Sequence, residues 1–343
     1  MKILATIKPV NYLKNKEVFA YLIEIDLISG DIIRKLKLPS ASFKTKNSFM
    51  TNFVQGMVVV ERDIFVAYWN YIVIIDYDTF TVKDAFSHPL MTDNHGIDSD
   101  GQRLFVTSTA IDSVLGFDIK SKKLIFSWGA SNKFLQPKRF LVPYSIANNT
   151  IVKKWNVFAK KFNLIQLTTK FNENIDYRSV HKSNSVYHNH HINDVCCVED
   201  NIIYLTTKGW NDFENGSIIK LNIQTGNASF ISKPGSFKGL HDCILVDNKI
   251  MVTESSKNSV GIQSANGKIE HKILSDESFF IRGLVKAGDG FVVGFSSVRF
   301  EDAPEAKVVY YDSSFENVLS CINLGALYKH SKVAIHSIQL SPI

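Results

Sequence analysis

Cysteine is scarce in this chain. Four cysteines in 343 residues are too few for a disulfide scaffold of this size, and none has the C-x-x-C spacing of a redox motif or zinc site. We therefore expect buried free thiols in a reducing compartment.

Long apolar runs are also missing. Nothing approaches 18 consecutive apolar residues, and the start, MKILATIKPVNYLKNK, has neither a signal-peptide core nor a small-residue cleavage site. These absences predict no membrane span and a cytoplasmic protein.

Several catalytic and binding signatures are absent as well. The chain contains no G-x-S-x-G, no P-loop and no G-x-G-x-x-G. Its formal net charge of +6 is mild and favours an anionic ligand over a cationic one. Nucleic acid usually requires a denser basic stripe interleaved with aromatic residues, so we expect no nucleic-acid partner.

Four segments of the chain share one internal spacing. They begin QGMVVVERDIFVA, HGIDSDGQRLFVT, HDCILVDNKIMVT and RGLVKAGDGFVVG. In each, a polar anchor residue starts a short apolar run, and a small residue closes a second run twelve positions later. The four anchor and closing pairs are Gln55 and Ala67, His95 and Thr107, His241 and Thr253, and Arg282 and Gly294.

The repeat predicts an all-β protein, a six-bladed β-propeller formed by residues 1–343 as a single domain. Short strands separated by Asp, Asn or Gly turns recur about every 40–55 residues, which is typical of propeller blades. The last segment, AIHSIQLSPI, has only a first strand, whereas the N-terminus supplies three strands without a first. Pairing of the N- and C-terminal strands would complete a blade and close the ring.

The stretch 131–188 interrupts the repeat. A seventh, degenerate blade is one alternative, but NTIVKKWNVFAKKF has helical periodicity, so we predict a partly helical insertion. Val152, Trp155, Ala159 and Phe162 share one face of this helix. We expect that face to lie on the propeller; a lid over the central pore and a helix at a membrane surface are the alternatives, in that order.

The anchors are predicted to meet at one mouth of the channel, because the first strand of each blade lines it. The anchors are Gln55, His95, His191, His241, Arg282 and His336. In YHNHHIND, His191 and Asn193 share a strand face and both can point into the channel, whereas His188 and His190 belong to the loop before the strand.

Three chemistries fit such a pocket. Zinc, manganese or iron could be held by imidazoles, with Asp98, Asp194 and Asp242 orienting the rings; the metal ligands would be His95, His191, His241 and His336. Without a metal, His191 or His241 could act as general base or nucleophile while Arg282 binds an anion. Third, the ring could bind a small anionic or saccharide-like molecule without reaction, through Gln55, Asn193 and Arg282. An enzyme of lyase, hydrolase or isomerase type is the first hypothesis, and a non-catalytic ligand-binding or protein-interaction propeller is the alternative.

The segments HGIDSDGQRLFVTST, HHINDV, GLHDCILVDNKIMVTES and FIRGLVKAGDGFVVGFSSVR resemble a bacterial family of six-bladed propellers usually labelled conserved hypothetical proteins. The resemblance covers about residues 90–340 and implies that Ser296 and Arg299 join the polar positions, with Arg299 as a substrate-binding residue. The chain departs from that family in SSVR, where Ser-Arg is more usual, and in the insertion.

A weaker similarity, in the His-x-Asn and later His-Asp at blade starts, is to arylsulfotransferase propellers, which transfer sulfate through histidine. This similarity implies His191 or His241 as nucleophile and Arg282 as sulfate ligand. Those enzymes are largely exported, whereas no export signal is seen here.

Overall fold

The computed structural model describes residues 1–10, 19–39, 54–132, 139–143, 150–161, 164–178, 190–208, 216–297, 304–325 and 332–342. Within them, six four-stranded antiparallel sheets follow one another around a central channel. This arrangement is a six-bladed β-propeller, so the predicted fold class and blade number are confirmed.

Blade 1 joins the two ends of the described chain. From the channel outward its strands are β26 (Lys332–Leu340), β1 (Lys2–Val10), β2 (Tyr21–Asp26) and β3 (Ile32–Lys37). Strands β26 and β1 pair antiparallel, with Ile3 opposite Leu340 and Val10 opposite Lys332. The predicted closure of the ring by terminal strands is therefore present.

The other five blades each use four strands consecutive in the chain. Blade 2 comprises β4 (Val54–Val60), β5 (Asp63–Tyr68), β6 (Ile72–Asp76) and β7 (Thr81–Phe86). Blade 3 comprises β8 (Asn94–Ser99), β9 (Arg103–Ser108), β10 (Ser113–Asp118) and β11 (Leu124–Gly129). Blade 4 comprises β14 (Ile192–Glu199), β15 (Ile202–Thr207), β16 (Ser217–Asn222) and β17 (Ala228–Phe230). Blade 5 comprises β18 (Leu240–Val246), β19 (Lys249–Glu254), β20 (Ser259–Gln263) and β21 (Ile269–Ile273). Blade 6 comprises β22 (Phe280–Ala287), β23 (Gly290–Ser296), β24 (Lys307–Tyr311) and β25 (Val318–Asn323).

Burial decreases from the channel to the rim and explains the strand sequences. The second and third strands of a blade are covered on both faces by the neighbouring blades, so they form nearly continuous apolar runs, as in DIFVAY and IVIID of blade 2. The outermost strands, such as TVKDAF, are largely exposed and polar. Charged side chains on these outer edges oppose edge-to-edge aggregation.

The apolar core consists of six clusters, each lying chiefly between two neighbouring blades in the described part of the chain. The cluster between blades 6 and 1, for example, joins Val308 of β24 to Ile335 of β26. Burying such side chains contributes about 1.5–3 kcal/mol each. The propeller is therefore stabilised by contacts between sheets, and these contacts hold the inner strands around the channel.

The insertion between blades 3 and 4 is partly helical, as predicted. Its described portion contains a parallel strand pair, β12 (Arg139–Leu141) with β13 (Gln166–Thr168), and the helix α1 (Thr150–Lys161). The Asn156 side chain joins α1 to β13, donating to the Leu167 carbonyl and accepting from the Leu167 N–H at 2.7 Å.

The buried face of α1 differs from the predicted one. Val152 and Ala159 are buried, but Trp155 is 41% exposed, and Phe162 lies outside the described residues. Because Val152 packs into the core cluster of blades 2 and 3, the helix rests on the propeller by one edge of its apolar face only. A lid function for the insertion stays a prediction. Within the described ranges, no helix combines the length and apolarity needed to cross a bilayer.

The turns between the third and fourth strands share one hydrogen-bonding pattern between a side chain and the backbone. In five blades an Asp or Asn at the end of the third strand accepts backbone N–H groups two to five residues later. We call the four aspartates of this group, Asp26, Asp76, Asp118 and Asp312, the turn aspartates. The predicted Asp and Asn hairpin chemistry is therefore present.

Candidate functional site

One polar residue in each blade lies at a β-bulge of the inner strand. The pairing register shifts at these positions in all six blades. In five blades the first unpaired residue of the bulge is polar: Gln55, His95, Asn193, His241 and His336. In blade 6 the polar residue is Arg282, which is the last paired residue before the bulge. Bulges re-aim side chains next to binding sites, which accounts for six polar groups turned toward the axis.

These six side chains line one cavity along the channel, with a volume of about 250 Å³. The cavity has room for about eight water molecules. These six residues come from six different blades, and Gln55 and Arg282 are 227 positions apart in the chain. Five of the six predicted anchors therefore converge on the cavity, and in blade 4 Asn193 lines it instead of His191; the roles of these residues stay predictions.

Hydrogen-bond donors dominate the side of the mouth formed by blades 6, 1 and 2. Arg282 Nη1 donates to Gln55 Oε1 at 2.8 Å and lies 3.3 Å from His336 Nδ1. Since a guanidinium can only donate, His336 accepts at Nδ1 and carries its proton on Nε2. The hydrogen bond from Arg282 also orients the Gln55 amide, because its oxygen must face Arg282 Nη1 and its NH₂ group then points away from Arg282. We call Arg282, His336 and Gln55 the donor group.

Blade 5 supplies a histidine with a defined tautomer. His241 Nδ1 lies 2.9 Å from the Gly239 carbonyl and 2.8 Å from Ser255 Oγ. The Ser255 hydroxyl donates its only hydrogen to the Ile281 carbonyl at 2.6 Å, so both neighbours of Nδ1 are acceptors there. Neutral His241 is therefore protonated on Nδ1, and Nε2 carries the lone pair. This tautomer suits the predicted general base, a role that stays a prediction.

Blades 3 and 4 add an imidazole and an amide. His95 Nε2 lies 3.4 Å from Asp93 Oδ1 in a fully buried setting. Asn193 Nδ2 donates to the Leu240 carbonyl, which leaves Asn193 Oδ1 as a buried acceptor without a hydrogen-bond partner among the described residues. An unsatisfied buried carbonyl costs free energy, so this oxygen favours a bound donor group.

His191 stands apart from the other predicted site residues. It is buried and has a left-handed backbone with φ of 55°. The Asp112 carboxylate accepts the backbone N–H groups of both His190 and His191, at 2.5 and 2.7 Å, and fixes this turn. The His191 ring packs edge-on against His95 at 5.5 Å and is not among the residues that line the cavity. It therefore lies behind His95, and its catalytic and metal-binding roles stay predictions.

Two other residues singled out in the sequence, Arg299 and His188, lie outside the described residues. Ser296 has a structural position, because its hydroxyl donates to the Ile335 carbonyl and accepts from the Ile335 N–H at 2.9 Å, linking blades 6 and 1.

Three aspartates beside the cavity link successive blades. Asp98 Oδ2 accepts the Cys197 N–H at 2.7 Å, and Asp194 Oδ2 accepts the Cys243 N–H at 2.8 Å. Asp242 Oδ2 accepts the Gly283 N–H at 2.9 Å and the Thr253 hydroxyl at 2.6 Å. We call Asp98, Asp194 and Asp242 the channel aspartates.

The channel aspartates bind backbone of blades 4, 5 and 6 rather than the imidazoles that they were expected to orient. Close approach of the inner strands makes this possible: a Cβ on Gly96 would collide with the Asp194 carboxylate. Sequence reasoning had noticed these residues beside the anchors but missed their role, because the acceptor and donor lie about 40 to 100 residues apart.

Burial raises the pKa of all three channel aspartates. The pKa of Asp98 rises to about 6, and that of Asp194 rises well above 3.8 through burial and the nearby Asp242 and Asp98 carboxyl groups. Burial also raises the pKa of Asp242, although the Thr253 hydroxyl and the Arg282 charge oppose the shift. This part of the channel therefore holds protons more tightly than ordinary carboxylates do.

The thiols beside these aspartates are also held protonated. A hydrogen bond with Cys196 and burial raise the pKa of Cys243 well above 9.0, and burial raises that of Cys197. Cysteines in such surroundings are poor nucleophiles and poor metal ligands. Of the four cysteines, Cys321 is exposed, contrary to the expectation of uniformly buried thiols.

A metal centre finds little support in this geometry. Among the described residues, no three His, Cys, Asp or Glu side chains are grouped so that they could hold a metal ion. The channel aspartates are engaged with backbone, and the Arg282 guanidinium at His336 Nδ1 occupies one of the imidazole nitrogens required. The zinc, manganese or iron site stays a prediction.

Comparison with known proteins supports the fold. No protein-family model matches the chain, and no curated protein matches it either. A chain in a crystal structure of a nidogen/laminin complex aligns over 100% of both chains, with a TM-score of 0.57 and 9% identity. A protein of unknown function from Bacteroides caccae aligns over 97% of this chain and 98% of its own, with a TM-score of 0.56 and 11% identity.

At these identities the likeness concerns the fold alone. The class defined by fold and geometry is a six-bladed β-propeller with a polar channel mouth. The bacterial neighbour shares this fold, whereas the resemblances to a bacterial family of unknown function and to arylsulfotransferases stay predictions at the level of sequence.

Proposed function

We propose that this propeller binds a small hydroxylated anion, such as a sugar acid or sugar phosphate, in the mouth of its channel. The observation that carries the proposal is the donor group. A guanidinium, an imidazole and a carboxamide side chain from three consecutive blades, Arg282, His336 and Gln55, line one cavity of about 250 Å³.

Charge favours an anionic ligand at this side of the mouth. Arginine keeps its positive charge at any physiological pH and donates in a fork that matches carboxylate and phosphate oxygens. Arg282 is 8% exposed, and its guanidinium also lies 5.3 Å from the Phe280 ring, which limits its movement. Hydrogen bonds to a charged group in such a setting contribute about 1.5–3 kcal/mol each.

The opposite side of the mouth suits hydroxyl groups. Asn193 Oδ1 offers a buried acceptor, and neutral His241 carries its lone pair on Nε2. A ligand with an acidic group at the donor group and hydroxyls toward blades 4 and 5 would satisfy both sides. The cavity volume limits the ligand to about the size of one sugar ring.

The test is calorimetric titration of the purified protein with glucuronate, glucose 6-phosphate, inorganic phosphate and uncharged glucose. We expect at least one sugar anion to bind more tightly than glucose, and Arg282→Gln to weaken that binding at least tenfold. Arg62→Gln is the matched control, because Arg62 is an exposed arginine paired with Asp78 on the outer part of blade 2. It should leave binding unchanged.

A second variant protects against a folding defect in Arg282→Gln. Gln55→Glu keeps the side-chain shape and places a carboxylate 2.8 Å from Arg282 Nη1, which should hold the fold while cancelling the charge. It should weaken anion binding to a similar degree. Absence of binding by every anion tested, or equal affinity in wild type and both variants, would contradict the proposal. Near-stoichiometric zinc, manganese or iron in protein purified without a metal-affinity tag would favour the metal-based alternative instead.

A further inference from the structure

The net positive charge of the chain comes from one stretch. Between Asp118 and Glu173 lie 54 residues with eleven Lys or Arg and no Asp or Glu. The remainder of the chain therefore contains 28 of the 39 basic residues and all 33 acidic residues. The propeller outside this stretch is thus slightly acidic, and the stretch that contains the insertion is strongly basic.

The insertion also exposes a set of large apolar side chains. Ile151, Trp155 and Phe158 of α1 are 73%, 41% and 48% exposed. Their spacing of four and three residues puts them on one face of the helix. Exposed apolar residues are ordinary when isolated, but a contiguous group of them marks an interaction surface.

Contacts join Trp155 to Phe158 and to Ile165, and Ile151 lies one helical turn before Trp155. The Trp155 and Phe158 ring centroids are 5.9 Å apart, and Trp155 Nε1 donates to the Ile165 carbonyl at 3.0 Å. Ile165 is itself 57% exposed. We call Ile151, Trp155, Phe158 and Ile165 the apolar patch.

A lysine borders the patch directly. Lys154 is exposed and lies three residues after Ile151 and four before Phe158, so it shares their side of the helix. The sequence of α1 contains three further lysines, Lys153, Lys160 and Lys161. Aromatic and aliphatic side chains beside lysines on a short helix are typical of segments that lie in a membrane interface.

We propose that the apolar patch, together with the basic stretch of sequence in which it lies, docks this protein onto a membrane surface rich in anionic lipids. The charge of the stretch is complementary to acidic headgroups, and an apolar strip of three or four side chains can enter the boundary between headgroups and acyl chains. The opposite edge of α1, with Val152 and Ala159, stays packed in the protein.

The shape of the patch favours a bilayer over other acidic partners. Because Val152 and Ala159 are packed in the protein while Ile151, Trp155 and Phe158 are exposed, a flat deformable surface can reach the exposed side chains without a matching groove. A nucleic acid would use the lysines but would gain little from Ile151 and Phe158, since its affinity comes mainly from phosphate contacts and base stacking.

The test is co-sedimentation of the full chain with vesicles of phosphatidylcholine alone and of phosphatidylcholine with about one third phosphatidylserine. We expect binding to the anionic vesicles, little binding to the neutral ones, and a loss of binding as salt rises from 50 to 500 mM, because salt screens headgroup charge. Trp155 should report insertion by a blue shift in fluorescence, and Trp155→Phe should abolish most of that shift while keeping the binding.

Matched variants separate the patch from general surface apolarity. Ile151→Ser with Phe158→Ser should reduce the vesicle-bound fraction at least tenfold. Ile28→Ser with Ile273→Ser should not, although those side chains are 84% and 70% exposed elsewhere on the propeller. Lys154→Glu should weaken binding about fivefold or more, since each basic residue at an anionic surface contributes to attraction.

The proposal fails if anionic vesicles are not bound, or if both double variants lose binding equally. Retention of single-stranded DNA or of an acidic peptide such as polyglutamate, with no vesicle binding, would assign the surface to that other class of partner and overturn the membrane assignment. Thermal unfolding of each variant shows whether a loss of binding follows from a loss of fold.

Discussion

The channel aspartates and the turn aspartates make the same kind of hydrogen bond, the first set in the buried channel and the second in exposed turns. Both sets accept backbone N–H groups, yet burial raises the pKa of Asp98, Asp194 and Asp242, whereas hydrogen bonds lower the pKa of the turn aspartates at the surface. The difference teaches that a carboxylate's hydrogen bonds do not fix its pKa alone. In the channel the loss of water outweighs them, and at the rim it does not.

The largest effect expected from this comparison concerns Asp242. Replacing Asp242 by Ala leaves the buried Gly283 N–H and the Thr253 hydroxyl without their acceptor, which should lower the free energy of unfolding by about 4 kcal/mol. Asp118→Ala removes two comparable hydrogen bonds from Ser121 in an exposed turn, where water replaces the acceptor. Urea denaturation should show a clearly smaller loss for Asp118→Ala, and equal losses would remove the distinction between channel and rim.

The second prediction uses pH. Because the pKa of Asp98 is about 6 in the folded protein and about 3.8 when unfolded, the native state binds more protons between these values. The stability contributed by Asp98 is therefore present below pH 4 and is lost as pH rises through 6, a change of about 3 kcal/mol. Asp98→Asn, which cannot titrate, should flatten this part of the stability curve measured by urea denaturation from pH 4 to 7.

Asp312 provides the contrast of opposite sign. A hydrogen bond from Asn317 and further bonds in its turn hold its pKa at about 2, so its contribution is present above pH 3.8 and is lost as pH falls toward 2. Asp312→Asn should remove part of the acid sensitivity and leave the slope between pH 4 and 6 unchanged. The same slope in wild type and Asp98→Asn would show that another group causes it.

The smallest effect expected is at Ser255. Ser255→Ala removes one of two acceptors at His241 Nδ1 and the donor to the Ile281 carbonyl, but it leaves the Gly239 carbonyl at 2.9 Å, so the ring keeps its tautomer. The free energy of unfolding should fall by about 2 kcal/mol, and anion binding in the calorimetric assay should change less than threefold. A change as large as that of Arg282→Gln would mean that His241 rather than the donor group dominates the site.

Much of the fold could be read from the sequence because blades repeat. The twelve-residue step from anchor to closing residue spans one bulge in an antiparallel strand pair, and it led to the channel position of Gln55, His95, His241 and Arg282. His336 was found because its segment resembles the first strand of the other blades. Strand alternation predicted that His191 and Asn193 both point into the channel, and only Asn193 lines the cavity, because the strand begins at Ile192.

The features that were missed depend on contacts distant in sequence. His191 leaves the channel because Asp112, 79 residues earlier, fixes its backbone N–H in a left-handed turn. Trp155 is exposed although it lies on the same apolar face of α1 as Val152 and Ala159. Helical periodicity identifies this apolar face but not which edge of it packs against the rest of the protein. The links made by the channel aspartates likewise join blades that no local pattern relates.

The bulges have a consequence for how this ring can change. Because a backbone irregularity, and not the identity of the side chain, directs each of the six positions inward, residues there can be exchanged one at a time with the surrounding sheets left as they are. New ligand preferences can therefore arise by exchange of these side chains while the six sheets stay unaltered, although an exchange of Arg282 also changes the surroundings of Gln55 and His336, which are hydrogen-bonded to it.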